Sequence, residues 1–216
     1  MNENQSGNFV PSTSRIETFS DGVFAIVITL LVLELHVPKI ENRENWYELL
    51  GALVGLIPQF LGYVISFFFV AVFWVAHHQF FHTLNFSRRG LLWLNNLFLF
   101  FVTFIPFPTA LLGAYYQNLT AVIFFGTTFF LASLTFAFLR RYAWAKSEIS
   151  TEEFAKQSLK IALTRSFLVP LFYLVGIGTA FFSLPVAVGI YFLAPILLIR
   201  PMTLKTQAVE RNDIEI

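Results

Sequence analysis

The sequence predicts an all-α membrane protein with six transmembrane helices per chain and both termini on the cytoplasmic side. Three observations predict it. First, 56% of the 216 residues are hydrophobic and only 12% are charged, against about 25% charged in an average soluble domain. Second, no Asp, Glu, Lys or Arg occurs in residues 49–81, 90–139 or 166–199. A spanning helix needs about 20 apolar residues. These windows hold one span, two spans and two short spans, and the apolar stretch near the N-terminus adds another. Third, Lys and Arg are unevenly placed. With both termini inside, the cytoplasmic side holds Arg15, Arg88, Arg89, Arg140, Arg141, Lys146, Lys156, Lys160, Arg165, Arg200, Lys205 and Arg211. The outside holds Lys39 and Arg43. That bias sets the orientation and requires an even number of spans.

The first span is expected over residues 15–37, stopped by Pro38. Residues 1–14 before it are polar and lack an apolar core, so this span is read as its own insertion signal. The second is expected over 46–84, which at 1.5 Å per residue makes about 58 Å. It must tilt or project from the bilayer, with Pro58 as the kink. The third is expected over 91–112, with Pro106 and Pro108 near its end, and the fourth over 118–139. Residues 147–160, "SEISTEEFAKQSLK", read as a short cytoplasmic helix with a capping box from Ser150 to Glu153. The fifth span is expected over 161–182, with Pro170 inside it, and the sixth over 184–199. Residues 201–216 form a polar tail. The whole reads as one domain, 1–216, without an internal repeat.

Several function classes lose support. A net charge of +1 gives no basic surface for nucleic acid. The absence of cysteine excludes disulfides and thiolate metal sites. No phosphate-binding loop, dinucleotide fingerprint or metal-ligand spacing occurs, so no cofactor is expected.

The first span carries the most informative residues. At about 100° per residue, Arg15, Phe19, Gly22, Ile26, Thr29, Leu30 and Leu33 fall on one stripe. Asp21 lies about 140° from Ile26 and Ser20 about 120°. Polar and aliphatic residues therefore face different partners. An Asp about 9 Å deeper than Arg15 needs pairing or solvation. The second span offers "FWVAHHQF", with Trp74, His77, His78 and Phe81 spaced three or four apart. Asp21 and Ser20 are expected to bond His77 or His78. The competing reading leaves these histidines as ordinary interfacial groups. Metal binding by His77, His78 and His82 is not expected, because adjacent residues point about 100° apart and no carboxylate falls at ligand spacing. Asp21 with His77 lacks an evident nucleophile and oxyanion site for hydrolysis, so no enzyme is expected.

Arg15, Phe19, Ser20 and Asp21 spell R-x-x-x-F-S-D at the start of the first span. This resembles the signature of the transmembrane protein 175 family, lysosomal potassium channels and their bacterial relatives. "WVAHHQF" (74–80) and "FIPFPTALLG" (104–113) are similar to bacterial members as well. The resemblance covers the whole chain. It implies a single-repeat bacterial type: a homotetramer in the plasma membrane with its pore lined by the first helix. K⁺ is the conducted ion, with Cs⁺, Rb⁺ and weakly Na⁺ as companions, and no T-V-G-Y-G filter is present. It further implies a constriction at Ile26, pore-facing positions at Leu30 and Leu33 with Thr29 on the same stripe, and an interhelical network of Arg15, Phe19, Ser20, Asp21, Trp74, His77 and His78. On the residues alone, the aliphatic stripe reads as packing; the resemblance makes it a pore wall.

The implied mechanism is a ring of apolar side chains that makes a passing ion shed water. K⁺ sheds it more readily than Na⁺. Glu34, near the outer mouth, either concentrates cations or pairs with Lys39 or Arg43. The competing function is a secondary transporter of a small cation or solute, which prolines in the third, fifth and sixth spans keep open. A structural protein without conduction is the third.

Overall fold

The computed structural model describes residues 13–84, 87–146 and 153–196, built as an all-helical bundle. Helix α1 (Thr13–Leu33) stops four residues short of the expected end. Glu34 and Leu35 donate to the carbonyls three residues back, Leu31 O at 3.3 Å and Val32 O at 3.1 Å. This tightened turn closes the helix before Pro38, whose ring disfavours the helical region for Val37. The loop that follows is held by Glu48, whose carboxylate accepts from the backbone N–H of Glu41 at 2.6 Å and Asn42 at 3.2 Å.

The expected second helix is two helices, α2 (Trp46–Gly55) and α3 (Ile57–Phe81), with a break at Leu56. Asn45 caps α2 by accepting from Tyr47 N and Glu48 N. Pro58 has no N–H to give Val54, and Leu56 N turns to Leu53 O at 3.0 Å. The break relieves the excess length: α2 buries no side chain, and α3 alone has 25 residues.

The third expected helix divides in the same way, into α4 (Arg89–Phe104) and α5 (Pro106–Ala114), around Ile105. Thr109 repairs the break. Its hydroxyl donates to Ile105 O at 2.8 Å and meets Ser66 Oγ of α3 at 2.6 Å. Helix α6 (Leu119–Ala145) begins at the Asn118 cap and continues past Arg140 and Arg141, beyond the end expected at residue 139. Charge marks where a lipid-facing segment ends; it does not unwind a helix.

Helix α7 (Glu153–Ala180) runs unbroken through Pro170. The expected cytoplasmic helix and fifth span are thus one element; Ser150 of the expected capping box lies outside the described residues. Helix α8 (Leu184–Leu193) completes the set, and the expected end of the sixth span, at residue 199, also lies outside the described residues.

α6 is the hub, packed on α4, α5, α7 and α8. Its buried residues cover a little over half of its circumference, and Phe124 and Phe138 stand exposed on the remaining side. The core is aromatic: Phe69 stacks on Phe73 at 4.3 Å and meets Phe129 edge-on at 4.3 Å, while Phe98 lies 4.9 Å from Phe136. Between helices in lipid, association rests on close van der Waals contact and small residues rather than transfer from water. Gly126 and Gly176 supply that closeness, leaving room for the ring of Tyr191 where a Cβ would collide.

Among the described residues, four segments are long and apolar enough to cross a membrane: Thr13–Leu33, Ile57–Phe81, Arg89–Ala114 and Leu119–Ala145. Phe167–Ala180 and Leu184–Leu193 are apolar but shorter.

Candidate functional site

Helix α1 has one face in the bundle and one outside it. Ile16, Ser20, Phe24, Val27 and Leu31 are buried. Phe19, Ile26, Leu30 and Leu33 are 59%, 59%, 41% and 68% exposed, and Arg15, Gly22, Ala25 and Thr29 are exposed with them. The stripe expected from periodicity is therefore the bare face among the described residues.

The exposed face of α1 differs from that of α4. α4 presents Trp93, Leu97, Phe100 and Phe104, bulky side chains suited to lipid. Beyond Phe19, α1 presents only Gly, Ala, Thr and aliphatic residues. Thr29 donates its hydroxyl back to Ala25 O at 3.1 Å and Ile26 O at 2.8 Å. With its proton committed to the helix, the hydroxyl oxygen is left as an acceptor on the open face.

The buried side of α1 carries a polar network differing from the expected one. Ser20, fully buried, accepts from Asn95 Nδ2 of α4 at 3.1 Å. Asn95 Oδ1 meets His77 Nε2 of α3 at 2.8 Å. With the amide nitrogen donating to Ser20, the amide oxygen must accept, so His77 carries its proton on Nε2. His77 is fully buried, stacked on Phe81 at 4.4 Å and edge-on to Phe24 at 5.6 Å.

Asp21 bonds neither histidine. Its Oδ1 accepts from Trp74 Nε1 at 2.9 Å. The reason is helical phase. Trp74, His78 and His82 form an i, i+4, i+8 line towards the α1 edge, while His77, one residue from His78, turns into the core. Trp74 stacks on His78 with ring centroids 6.0 Å apart. His78 Nε2 is 3.1 Å from His82 Nε2. The carboxylate that in-helix spacing did not supply arrives from α1: Glu17, His78 and His82 each place a ligand atom within 4.8 Å of the others. Arg15 and Phe19, expected in the network, lie instead on the exposed stripe.

Two members went unrecognised in the sequence. Asn95 joins three helices, and its signal was visible: Asn95 and Asn96 interrupt a long charge-free window. Arg140 was counted among the cytoplasmic charges, yet it is buried. Its guanidinium donates to Ala76 O at 2.8 Å and lies 4.3 Å from the Phe136 ring centroid. These contacts put residues 20, 74–77, 95 and 140 at one level, near the end bearing Arg15, Arg88, Arg89 and Arg141. At the other end, Leu30, Leu33 and Glu34 line a groove with Thr103, Phe104, Pro106, Phe107 and Ala110.

Fold and site together define a polytopic helical membrane protein. Its first helix is anchored by side-chain hydrogen bonds on one side and bare on the other. A family model described as the endosomal/lysosomal potassium channel TMEM175 matches residues 15–106, the segment holding Ser20, Asp21, Trp74, His77 and Asn95. The chain is 36% identical over 188 residues to a potassium channel of Chamaesiphon minutus, covering 85% of this chain and 92% of that one. To a potassium channel of a Chryseobacterium species it is 32% identical over 190 residues, covering 87% and 92%. The crystal structure of a lysosomal potassium-selective channel TMEM175 homolog from Chamaesiphon minutus matches with a TM-score of 0.77 and 34% identity, covering 86% of this chain and 95% of that one. The chain belongs to the TMEM175 family, a family of ion channels and not of enzymes.

Proposed function

We propose that the chain forms a potassium-selective channel in the plasma membrane of a bacterium, as a homotetramer whose α1 helices line the path. The observation that carries this reading is the two-faced α1. A helix bonded to two others through Ser20 and Asp21 is fixed in orientation, and the face it leaves bare is narrow, small and aliphatic. One chain supplies one such helix, and cyclic closure around an axis makes a pore from it. Similarity to potassium channels over most of the chain supports the same reading.

In this assembly Ile26, Leu30 and Leu33 form successive apolar rings, with Thr29 offering hydroxyl oxygens between them. Ile26 is the narrowest. An apolar ring imposes dehydration, which Rb⁺ and Cs⁺ tolerate like K⁺ and Na⁺ resists. Glu34 stands at the outer mouth, Arg15 at the cytoplasmic one. The apolar half of α7 and α8 serve as the fifth and sixth spans, so both termini are cytoplasmic.

The helix breaks at Leu56 and Ile105 favour a second reading, a secondary transporter. Both breaks fall away from the midplane: Ile105 follows 16 residues of α4, about 24 Å from the basic end. Reconstitution decides between the two. Channel activity appears as unitary currents reversing near the K⁺ potential, from a particle with the mass of four chains. Slow, saturable flux would assign a carrier; a monomer in detergent and lipid would remove the shared pore.

A further inference from the structure

The bonds of α1 to α3 do not end at Asp21. One turn nearer the basic end, Glu17 faces His78 and His82, and this trio takes no part in the ion path or in the Ser20–Asn95–His77 network. We infer that Glu17, His78 and His82 form a binding site for a zinc-class divalent ion that bridges α1 and α3.

The geometry suits such an ion. His78 and His82 occupy i and i+4 at the end of α3, with Nε2 atoms 3.1 Å apart. Zinc holds nitrogen and oxygen ligands at about 2.0–2.2 Å, which in a tetrahedron puts ligand atoms roughly 3.3–3.5 Å apart. The imidazole pair is already near that spacing. The Glu17 carboxylate lies within 4.8 Å of both and closes the gap by side-chain rotation. His78 and His82 are exposed and Glu17 half-buried, so an ion reaches the site without opening the bundle. Trp74 limits the freedom of His78 by stacking on it while bonded to Asp21. Two imidazoles and one carboxylate leave a fourth position for water.

The donor set also selects. Imidazole with carboxylate favours Zn²⁺, Co²⁺ and Ni²⁺ over Mg²⁺ and Ca²⁺, which prefer oxygen alone. The chain has no cysteine to compete for these ions. A bound ion would join the start of α1 to the end of α3 by coordinate bonds.

Titration of the purified full-length protein in detergent with Zn²⁺ alone, followed by calorimetry, tests the site. One ion per chain is expected, and Co²⁺ should give the visible absorption of a four-coordinate nitrogen–oxygen site. Glu17→Gln and His82→Gln should each weaken binding by roughly tenfold or more, because the chelate loses one of its three protein ligands. His36→Gln, in the loop at the opposite end, should leave it unchanged. Binding of undiminished affinity in His82→Gln would mark an adventitious ion only, held by His36 or the polar tails, and would overturn the proposal. Failure of the wild type to bind Zn²⁺ would overturn it too. Should His78→Gln fail to fold, Glu17→Gln and His82→Gln decide the matter, with elution volume confirming their fold.

Discussion

Asn95 holds His77 at 2.8 Å through its amide oxygen while its amide nitrogen reaches Ser20. One side chain therefore supplies a hydrogen bond to each of two buried groups on two other helices, Ser20 Oγ and His77 Nε2. Asn95→Leu leaves Ser20 Oγ and His77 Nε2 buried without partners, each at about 1–3 kcal/mol. The variant should unfold or dissociate at markedly lower temperature in detergent. Asn95→Leu combined with His77→Leu should be less damaging than the sum of the two, because the pair acts as a unit. Additive losses in thermal unfolding would separate them.

Asp21 and Trp74 form a second, independent tie. Asp21→Asn keeps an oxygen that can accept from the indole, so it should assemble nearly as well as the parent. Asp21→Leu and Trp74→Phe both remove the bond, and each should cost about 1.5–3 kcal/mol, the range for hydrogen bonds to charged groups. Loss of the proposed tetramer in Asp21→Asn but not in Trp74→Phe would mean that charge, rather than this bond, is what Asp21 contributes. The comparison needs only chromatography and a melting curve.

The close approach of α3 and α5 gives a third prediction. A Cβ at Gly113 would sit 2.9 Å from the Cα of Gln59, a backbone atom that cannot swing aside. Gly113→Ala should therefore destabilise by about 1–3 kcal/mol through overpacking. Gly51, in α2, has open space where its Cβ would stand. Gly51→Ala should be neutral or stabilising by up to about 1 kcal/mol, as the helical propensities indicate. Equal melting temperatures for both variants would refute the packing argument.

What the sequence made legible follows from periodicity and composition. The stripe from Arg15 to Leu33 was readable because 3.6-residue repetition fixes which residues share a face, whatever they meet. The break before Pro58 was readable in position, as a kink, but not in kind, and the one before Pro106 was expected only as prolines near the end of a continuous span: a proline announces a lost hydrogen bond, while the choice between kink and break depends on what surrounds it. The partner of Asp21 was not readable. Trp74, His77 and His78 are all within one turn, and a rotation of about 100° separates the residue that meets α1 from the one that turns inward. Asn95 stood out as a polar residue in a charge-free window, but its partners were hidden for a different reason. Its role is three-body, and no pairwise pattern between the first and second spans could point to the third. The burial of Arg140 was not readable, because charge marks the end of a lipid-facing segment without saying whether a guanidinium finds a carbonyl and an aromatic face within the protein.

Ile26 and its neighbour Val27 test the proposed pore wall against the packed face. They are adjacent in sequence, yet Ile26 is 59% exposed on the bare stripe and Val27 only 1% exposed against the bundle. Ile26→Asn removes a branched apolar wall and supplies polar atoms that substitute for water around an ion. The dehydration barrier falls, and it falls most for the more tightly hydrated Na⁺. The variant should conduct Na⁺ nearly as well as K⁺, with larger currents and little change in melting temperature. Val27→Ala should do the reverse: a cavity costing about 1–3 kcal/mol, a lower melting temperature and unaltered selectivity. Thr29→Val, which keeps shape but removes the acceptor oxygen, should reduce K⁺ current without abolishing assembly. Reversal potentials under bi-ionic K⁺ and Na⁺ conditions read all three variants. Unchanged selectivity in Ile26→Asn, or an equal loss in Val27→Ala, would take Ile26 out of the filter and leave the stripe as a lipid or subunit contact.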